Sequence, residues 1–321
     1  MASKYLNALV YSVGLYTLAN PFIHYAKSHR TLTQVDTAIS NGERLRLLYG
    51  NDPRATVLIT GSSDGVGKLM ALQLAKYGFN LMLVSRSGEK LEGVKWQCME
   101  LNPQGRVSTV AMDFANVDPT KEMKEVFTMF DKSSEGDKPQ LRMLINNVGV
   151  MDGKKILENT PEELESLLRV NIFTQVFMTK YARSVMPSDK HNAFVHLSSF
   201  LSELPFPFFG TYAGTKVFNK VYGKLTYEAQ NTNRPDTLIV NPAGIVTNMT
   251  KDHMRSSSYV PPEKVVHAIF RELGSREQYK EINGCKEHMM AAVSLGLTPR
   301  PLWGVVKTWM GQQKEYPKKQ Q

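Results

Sequence analysis

Ala55-Thr-Val-Leu-Ile-Thr60, followed by Gly61-Ser62-Ser63-Asp64-Gly65-Val66-Gly67, decides the fold. An apolar and β-branched run without polar alternation reads as a strand buried on both faces, the pattern of a parallel sheet. A helical pattern from Lys68 to Tyr77 comes next. Gly61 permits a tight turn, Gly65 lets backbone amides approach a pyrophosphate, and Gly67 allows the helix to pack closely on the strand. Ser62, Ser63, Asp64 and Val66 complete the turn, and the helix N-terminus adds positive dipole towards an anion. The spacing Gly-x-x-x-Gly-x-Gly differs from the commoner Gly-x-Gly-x-x-Gly, so the position between strand and helix carries the reading.

Outward from this unit the same alternation continues. Phe79 to Ser85 reads as a second strand, and the residues at its end select the nucleotide. A carboxylate there would bond a ribose 2′-hydroxyl; Ser85-Arg86-Ser87 instead offers a cation and hydroxyls, which favours a 2′-phosphate and hence NADPH (NADP+). A helix from about Lys90 to Leu101, the turn Asn102-Pro103-Gln104-Gly105 and a strand near Arg106 to Met112 lead to Asp113, which could bond an adenine amino group. Leu141 to Ile145 forms the next strand and runs into Asn146-Asn147-Val148-Gly149, where Asn147 can brace the central strands and Gly149 lets the backbone pass the cofactor. Thr160-Pro161-Glu162-Glu163 starts a helix, with a threonine cap, proline in the first helical position and acids in the first turn. That helix carries Asn171, which reads as a structural polar group bonded to backbone.

The strand Ala193 to Leu197 delivers Ser198 and Ser199, and Thr211-Tyr212-Ala213-Gly214-Thr215-Lys216 follows at the start of a further helical pattern. Four residues is about one helical turn, so Tyr212 and Lys216 face the same way. Positive charge beside a phenol favours its phenolate, so the lysine is expected to pull the tyrosine pKa down from near 10. A serine close by could polarise a carbonyl beside the tyrosine.

Taken in order, Thr-Gly-x-x-x-Gly-x-Gly, Asn-Asn-x-Gly, the mid-helix Asn, Ser and Tyr-x-x-x-Lys resemble the classical short-chain dehydrogenase/reductase family. Within it the chain is most similar to the microsomal branch of very-long-chain 3-oxoacyl-CoA reductases and 17β-hydroxysteroid dehydrogenases, on Asn-Asn-Val-Gly at 146–149, Leu-Pro-Phe-Pro at 204–207 and the hydrophobic N-terminal extension. The resemblance implies a Rossmann-type doubly wound parallel sheet. It implies Tyr212 as proton donor, Lys216 as the residue that lowers the tyrosine pKa and holds the nicotinamide ribose, Ser199 as the carbonyl-orienting group, and Asn171 as holder of a water between Lys216 and solvent. At 241–247, Asn-Pro-Ala-Gly-Ile-Val-Thr, alanine follows the proline where the wider family has glycine, while Pro242, Ile245 and Thr247 keep the cofactor-side spacing. The implied activity is NADPH-dependent transfer of hydride to a 3-oxoacyl-CoA, as in fatty acid elongation, or to a keto-steroid. The alternative is a reductase fold retained as an accessory subunit of a membrane complex, for example mitochondrial.

Composition agrees with an enzyme on a membrane surface. In 321 residues, 39 Lys+Arg outweigh 30 Asp+Glu for a net +9, which suits an anionic membrane or a phosphate-rich ligand. No zinc finger, RNP-like strand or dense basic helix supports nucleic acid. The two cysteines, Cys98 and Cys285, are far apart and fit neither a disulfide framework nor a metal site. The uncharged run Tyr5 to Ala26 is roughly long enough to span a hydrocarbon core, although Asn7, Ser12, Asn20, Pro21 and His24 interrupt it, and an interfacial helix or a helix docked on protein are the alternatives. Trp303 and Trp309 suit a membrane interface, and Lys318-Lys319-Gln320-Gln321 looks like a dilysine retrieval signal. These features predict an endoplasmic-reticulum membrane protein with its catalytic domain cytosolic, a mitochondrial membrane being the alternative. The expected organisation is an N-terminal anchor and connector at 1–52, one NADP-binding domain at 53–275 and an amphipathic extension with a basic tail at 276–321. A lipid-like carbonyl substrate, the membrane, and a homodimer or membrane-complex subunits are the expected partners.

Overall fold

Seven strands, β1 (Ala55–Thr60), β2 (Asn80–Ser85), β3 (Val107–Ala111), β4 (Gln140–Asn146), β5 (Ala193–Leu197), β6 (Asp236–Val240) and β7 (Tyr279–Ile282), form one sheet in the order β3-β2-β1-β4-β5-β6-β7. Every pairing is parallel. The computed structural model describes residues 40–130, 136–154, 156–203, 209–229, 233–250, 259–275, 277–285 and 287–288. β1, β4, β5 and β6 are buried at every position, which is why their sequences are continuous runs rather than alternations. The strand order reverses between β1 and β4, and in open sheets of this kind ligands bind beyond the carboxyl ends of the strands at that point.

Helices cover both faces. α1 (Asn41–Tyr49), α2 (Gly65–Lys76), α3 (Gly88–Leu101) and α8 (Pro262–Glu272) pack one apolar layer that includes Leu45, Met70, Leu74, Val94 and Ile269. On the other face the short α4 (Glu122–Glu125) and α6 (Thr174–Val185) contribute Met123, Met178 and Ala182 to a second layer with Phe194 of β5. α5 (Pro161–Leu168) opens with the expected cap, a reciprocal box between Thr160 and Glu163. It passes into a π-helical turn, Arg169–Phe173, before α6. α7 (Gly210–Glu228) carries Tyr212 and Lys216 on its buried side.

Two boundaries differ from expectation. α2 starts at Gly65 rather than Lys68, because the Asp64 carboxylate caps it by accepting the Gly65 amide at 2.7 Å, so both glycines lie in the first turn. The compact unit holding the sheet runs from Ile39 to Cys285, wider at both ends than 53–275. At the front, α1 begins in a capping box between Ser40 and Glu43 and buries Leu45 and Tyr49 completely. The Tyr49 hydroxyl donates to the buried Asp236 carboxylate, and Arg44 donates to the carbonyls of Phe270, Arg271 and Leu273 at the end of α8. At the back, β7 has the half-polar sequence Tyr-Lys-Glu-Ile of an edge strand, which hides it among polar residues. The expected anchor 5–26, the segments 204–207 and 251–258, Trp303, Trp309 and the terminal lysines lie outside the described residues. Among the described residues no helix is long and apolar enough to cross a membrane.

Because a hydrogen bond to a charged group contributes about 1.5–3 kcal/mol, Tyr49→Phe should lower stability by about that amount by leaving Asp236 without its phenol. A urea midpoint unchanged from wild type would show that α1 is not anchored through this bond.

Candidate active site

Every strand end at the switch point carries a residue singled out by sequence. After β1, Gly61 has φ +67° and Gly65 φ +54°, conformations that a side chain resists. A Cβ on Gly67 would stand 2.2 Å from the Gly61 carbonyl oxygen, so its role is the close helix–strand packing that the spacing suggested. Asn147 braces β1 as expected: its Nδ2 donates to the carbonyls of Thr60 at 2.9 Å and Gly61 at 3.0 Å. Thr60, unremarked in the sequence because threonine also reads as strand filler, holds the other side of the junction. Its Oγ1 accepts the amides of Asn147 at 3.1 Å and Val148 at 3.2 Å.

The turn is tied to its neighbours on both sides. Ser63 Oγ lies 2.8 Å from Ser85 Oγ at the end of β2, and next to it Arg86 stands exposed while Ser87 caps α3. Ser62 is fully buried behind the turn. Beyond β6, Pro242 accepts the Phe200 amide at 2.9 Å, and Ile245 bridges Val260. The Thr247 methyl would lie 3.3 Å from a Cβ on Gly65, so this loop closes directly on the glycine turn. Asn248 donates to the Asp64 carboxylate across the same gap. Asp113 is less open than expected: its carboxylate accepts the Ala115 amide at 3.2 Å and Asn116 Nδ2 at 2.8 Å, closing its own turn.

Tyr212, Lys216, Ser199 and Asn171 are all buried and come together at the ends of β4 and β5. Lys216 Nζ donates to the Leu197 carbonyl at 3.0 Å and lies 5.6 Å from the centroid of the Tyr212 ring. Ser198, the neighbour of the expected serine, donates to the Lys216 carbonyl at 2.7 Å and so fixes α7 against β5. Asn171 bonds backbone as anticipated, accepting the Val150 amide at 2.8 Å and donating to the Val150 carbonyl at 2.9 Å. Its Nδ2 also donates to Thr215 Oγ1 at 3.0 Å, and Thr215 in turn donates to the Tyr212 carbonyl at 2.7 Å. The asparagine sits in the π-helical turn rather than in regular helix, a local widening common at functional sites. A Cβ on Gly149 would lie 3.2 Å from Lys216 Nζ and 3.5 Å from Asn171 Oδ1, so glycine keeps the space in front of the lysine open.

The electrostatics correct one expectation. Burial pushes the Tyr212 phenol up to about 12, opposed only by its hydrogen bond with Ser199. The same burial pulls Lys216 down to about 8. Desolvation disfavours both charged forms, and a phenol that is 8% exposed gains less from the ammonium over its ring than it loses in water. The glycine turn at the start of α2, the serine and arginine at the end of β2 and the open floor at Gly149 fit a dinucleotide cofactor.

Residues 55–257 match the short chain dehydrogenase family. The chain belongs to that family. It is 30% identical over 219 residues to a very-long-chain 3-oxoacyl-CoA reductase of Mycosarcoma maydis, an alignment covering 68% of this chain and 61% of that relative. Identity to human 17-beta-hydroxysteroid dehydrogenase type 3 is 29% over 196 residues, 60% of each chain. The fold superposes on a 7beta-hydroxysteroid dehydrogenase with a TM-score of 0.67 at 20% identity, covering 83% of this chain and 99% of the other. A short chain dehydrogenase from Escherichia coli CFT073, complexed with NADPH, superposes with a TM-score of 0.61 at 18% identity, covering 71% and 95%.

Proposed function

We propose that the protein is an NADPH-dependent carbonyl reductase acting on a lipid-like substrate, a 3-oxoacyl-CoA in preference to a keto-steroid. The observation that carries the reading is the convergence of Tyr212, Lys216 and Ser199 beside the open floor at Gly149, in a chain of this family. The fungal relatives named very-long-chain 3-oxoacyl-CoA reductase support the acyl-CoA choice, as does the net +9, which suits a ligand rich in phosphate. A location at the endoplasmic-reticulum membrane would rest on residues 5–26 and 318–321, and carbonate extraction of native membranes tests it.

A bound nicotinamide would supply the hydride. In this reading Ser199 donates a hydrogen bond to the substrate carbonyl and holds it against Tyr212, whose hydroxyl gives its proton to the carbonyl oxygen as negative charge develops there. Lys216, fixed by Leu197 and Ser198, keeps positive charge beside the phenol and would hold the nicotinamide ribose. Asn171 and Thr215 hold the helix and the loop after β4 in register around it. Arg86, exposed beside Ser85 and Ser87, would hold the 2′-phosphate.

Tyr212→Phe should reduce turnover on the order of 100- to 10,000-fold while NADPH still binds. Near-normal turnover of acyl-CoA and steroid substrates by that variant would remove the proton-donor role. If the wild-type protein, purified from native membranes, turns over neither substrate and runs inside a large complex, the accessory-subunit reading takes the place of this one.

The neutral phenol is the form that donates, and Lys216 carries its charge only below about 8. Reduction should therefore be level at roughly pH 6 to 7 and fall as pH rises through the lysine pKa. A kcat/KM profile for reduction that instead climbs through that range would contradict the assignment of Lys216.

Arg86→Asp puts repulsion where attraction to a 2′-phosphate stood. Charged hydrogen bonds of about 1.5–3 kcal/mol imply a shift of the NADPH-to-NADH efficiency ratio on the order of 10- to 100-fold. An unchanged ratio would mean that Arg86 is solvated surface.

A further inference from the structure

The catalytic groups proposed above stand on two separate pieces of chain, Tyr212 and Lys216 on α7 and Ser199 at the start of the 3-10 turn Phe200–Ser202. Ser199 is fixed locally: its Oγ accepts the Leu201 amide at 3.2 Å, and the turn is closed by the Glu203 amide on the Phe200 carbonyl at 3.0 Å. What joins the far end of this turn to α7 is Lys220, one helical turn beyond Lys216. Its ammonium donates to the Glu203 carboxylate and lies 2.6 Å from Glu281 Oε1 of β7. The same Glu281 oxygen accepts Asn241 Nδ2 at 2.6 Å. Asn241 is fully buried, its amide donates to the Ile282 carbonyl at 2.7 Å, and it immediately precedes Pro242, whose carbonyl takes the Phe200 amide.

One ammonium therefore gathers two carboxylates that belong to the serine turn and to the last strand, and through Glu281 it reaches the segment that runs on to Thr247. Resting on the reductase reading, we infer that Lys220 is a positioning residue, a clamp that sets the separation of Ser199 from Tyr212. Two features of the cluster separate this role from ordinary surface pairing. Side-chain exposure is 26% for Lys220, 43% for Glu203 and 30% for Glu281, so the pairs lie close enough to solvent to add little to global stability. Removing the cation, however, leaves Glu203 and Glu281 with like charges facing each other, so attraction between the turn and β7 becomes repulsion. The turn is only three residues of 3-10 helix, with Glu203 at its far end, whereas α7 is a nineteen-residue helix held independently by Ser198 and Leu197. A small displacement of Ser199 would be felt in the chemical step and not in the cofactor cradle at Gly61 to Gly67.

The test compares Lys220→Gln and Lys220→Arg with wild type in the full-length protein, using NADPH fluorescence, steady-state turnover and amide hydrogen exchange. Glutamine should lower kcat on the order of 10-fold. NADPH affinity and melting temperature should stay close to wild type, arginine should restore most of the rate, and exchange should rise at residues 200–203 but not along α7. Unaltered exchange at 200–203, a wild-type kcat in the glutamine variant, or an arginine variant as impaired as the glutamine one would overturn the clamp. Absence of turnover in the wild-type protein would count against the reductase reading alone, since the exchange comparison still decides whether Lys220 holds the turn.

Discussion

The interaction on which the rest of this structure depends is the seating of the Lys216 ammonium on the Leu197 carbonyl. A lysine that is 3% exposed has lost its water, and the fall of its pKa from 10.5 to about 8 corresponds to about 3 kcal/mol at roughly 1.4 kcal/mol per pH unit. Against a typical fold stability of about 5–15 kcal/mol that is a large penalty for one side chain. The surrounding bonds are arranged so that it is not larger: Ser198 fastens the lysine's own carbonyl, and Asn171 with Thr215 fixes the adjoining turn of α7. Further buried polar groups lie at this same end, including Asn146, whose Nδ2 donates to Thr179 at 2.9 Å and lies 3.2 Å from His196 Nδ1. Burial drives His196 down to about 3, so it is neutral and serves this layer as an uncharged hydrogen-bonding ring.

How far the sequence could be read followed from how local each signal is. The glycine turn was legible because its requirements are backbone ones: positive φ at Gly61 and Gly65, and no room for a side chain at Gly67, belong to residues within one short segment. Tyr212 and Lys216 were legible because helical spacing fixes their relation in advance. The fully buried strands announced themselves by continuous apolar runs, while β7 and α1 did not. Tyr-Lys-Glu-Ile carries no run at all, and the commitment of α1 to the core depends on Asp236 and on the end of α8, both close to two hundred residues away or more.

Side-chain partners were the part that spacing could not supply. Thr60, Ser198, Thr215 and Lys220 are common residues in ordinary positions, and only the meeting of distant strand ends gives them work. Asn171 illustrates the middle ground: its bonding to backbone was readable as a general habit of buried asparagine, but the π-helical turn that aims it at Val150 was not. Asp113 shows another limit: spacing placed it after β3, but its bonds to Ala115 and Asn116 within its own turn are visible only in the structure.

The sign of the Tyr212 shift bears on the direction of the chemistry. Reasoning from the pair alone, the lysine charge lowers the phenol pKa; in the folded protein burial acts on both groups and moves them apart from their charged forms, the tyrosine to about 12 and the lysine to about 8. Near neutral pH this leaves an ammonium beside a neutral phenol. That is the state from which a proton can be given to a carbonyl oxygen as it gains negative charge, with the cation already in place to stabilise the phenolate left behind. The reverse reaction would have to begin from the phenolate, which the same desolvation disfavours.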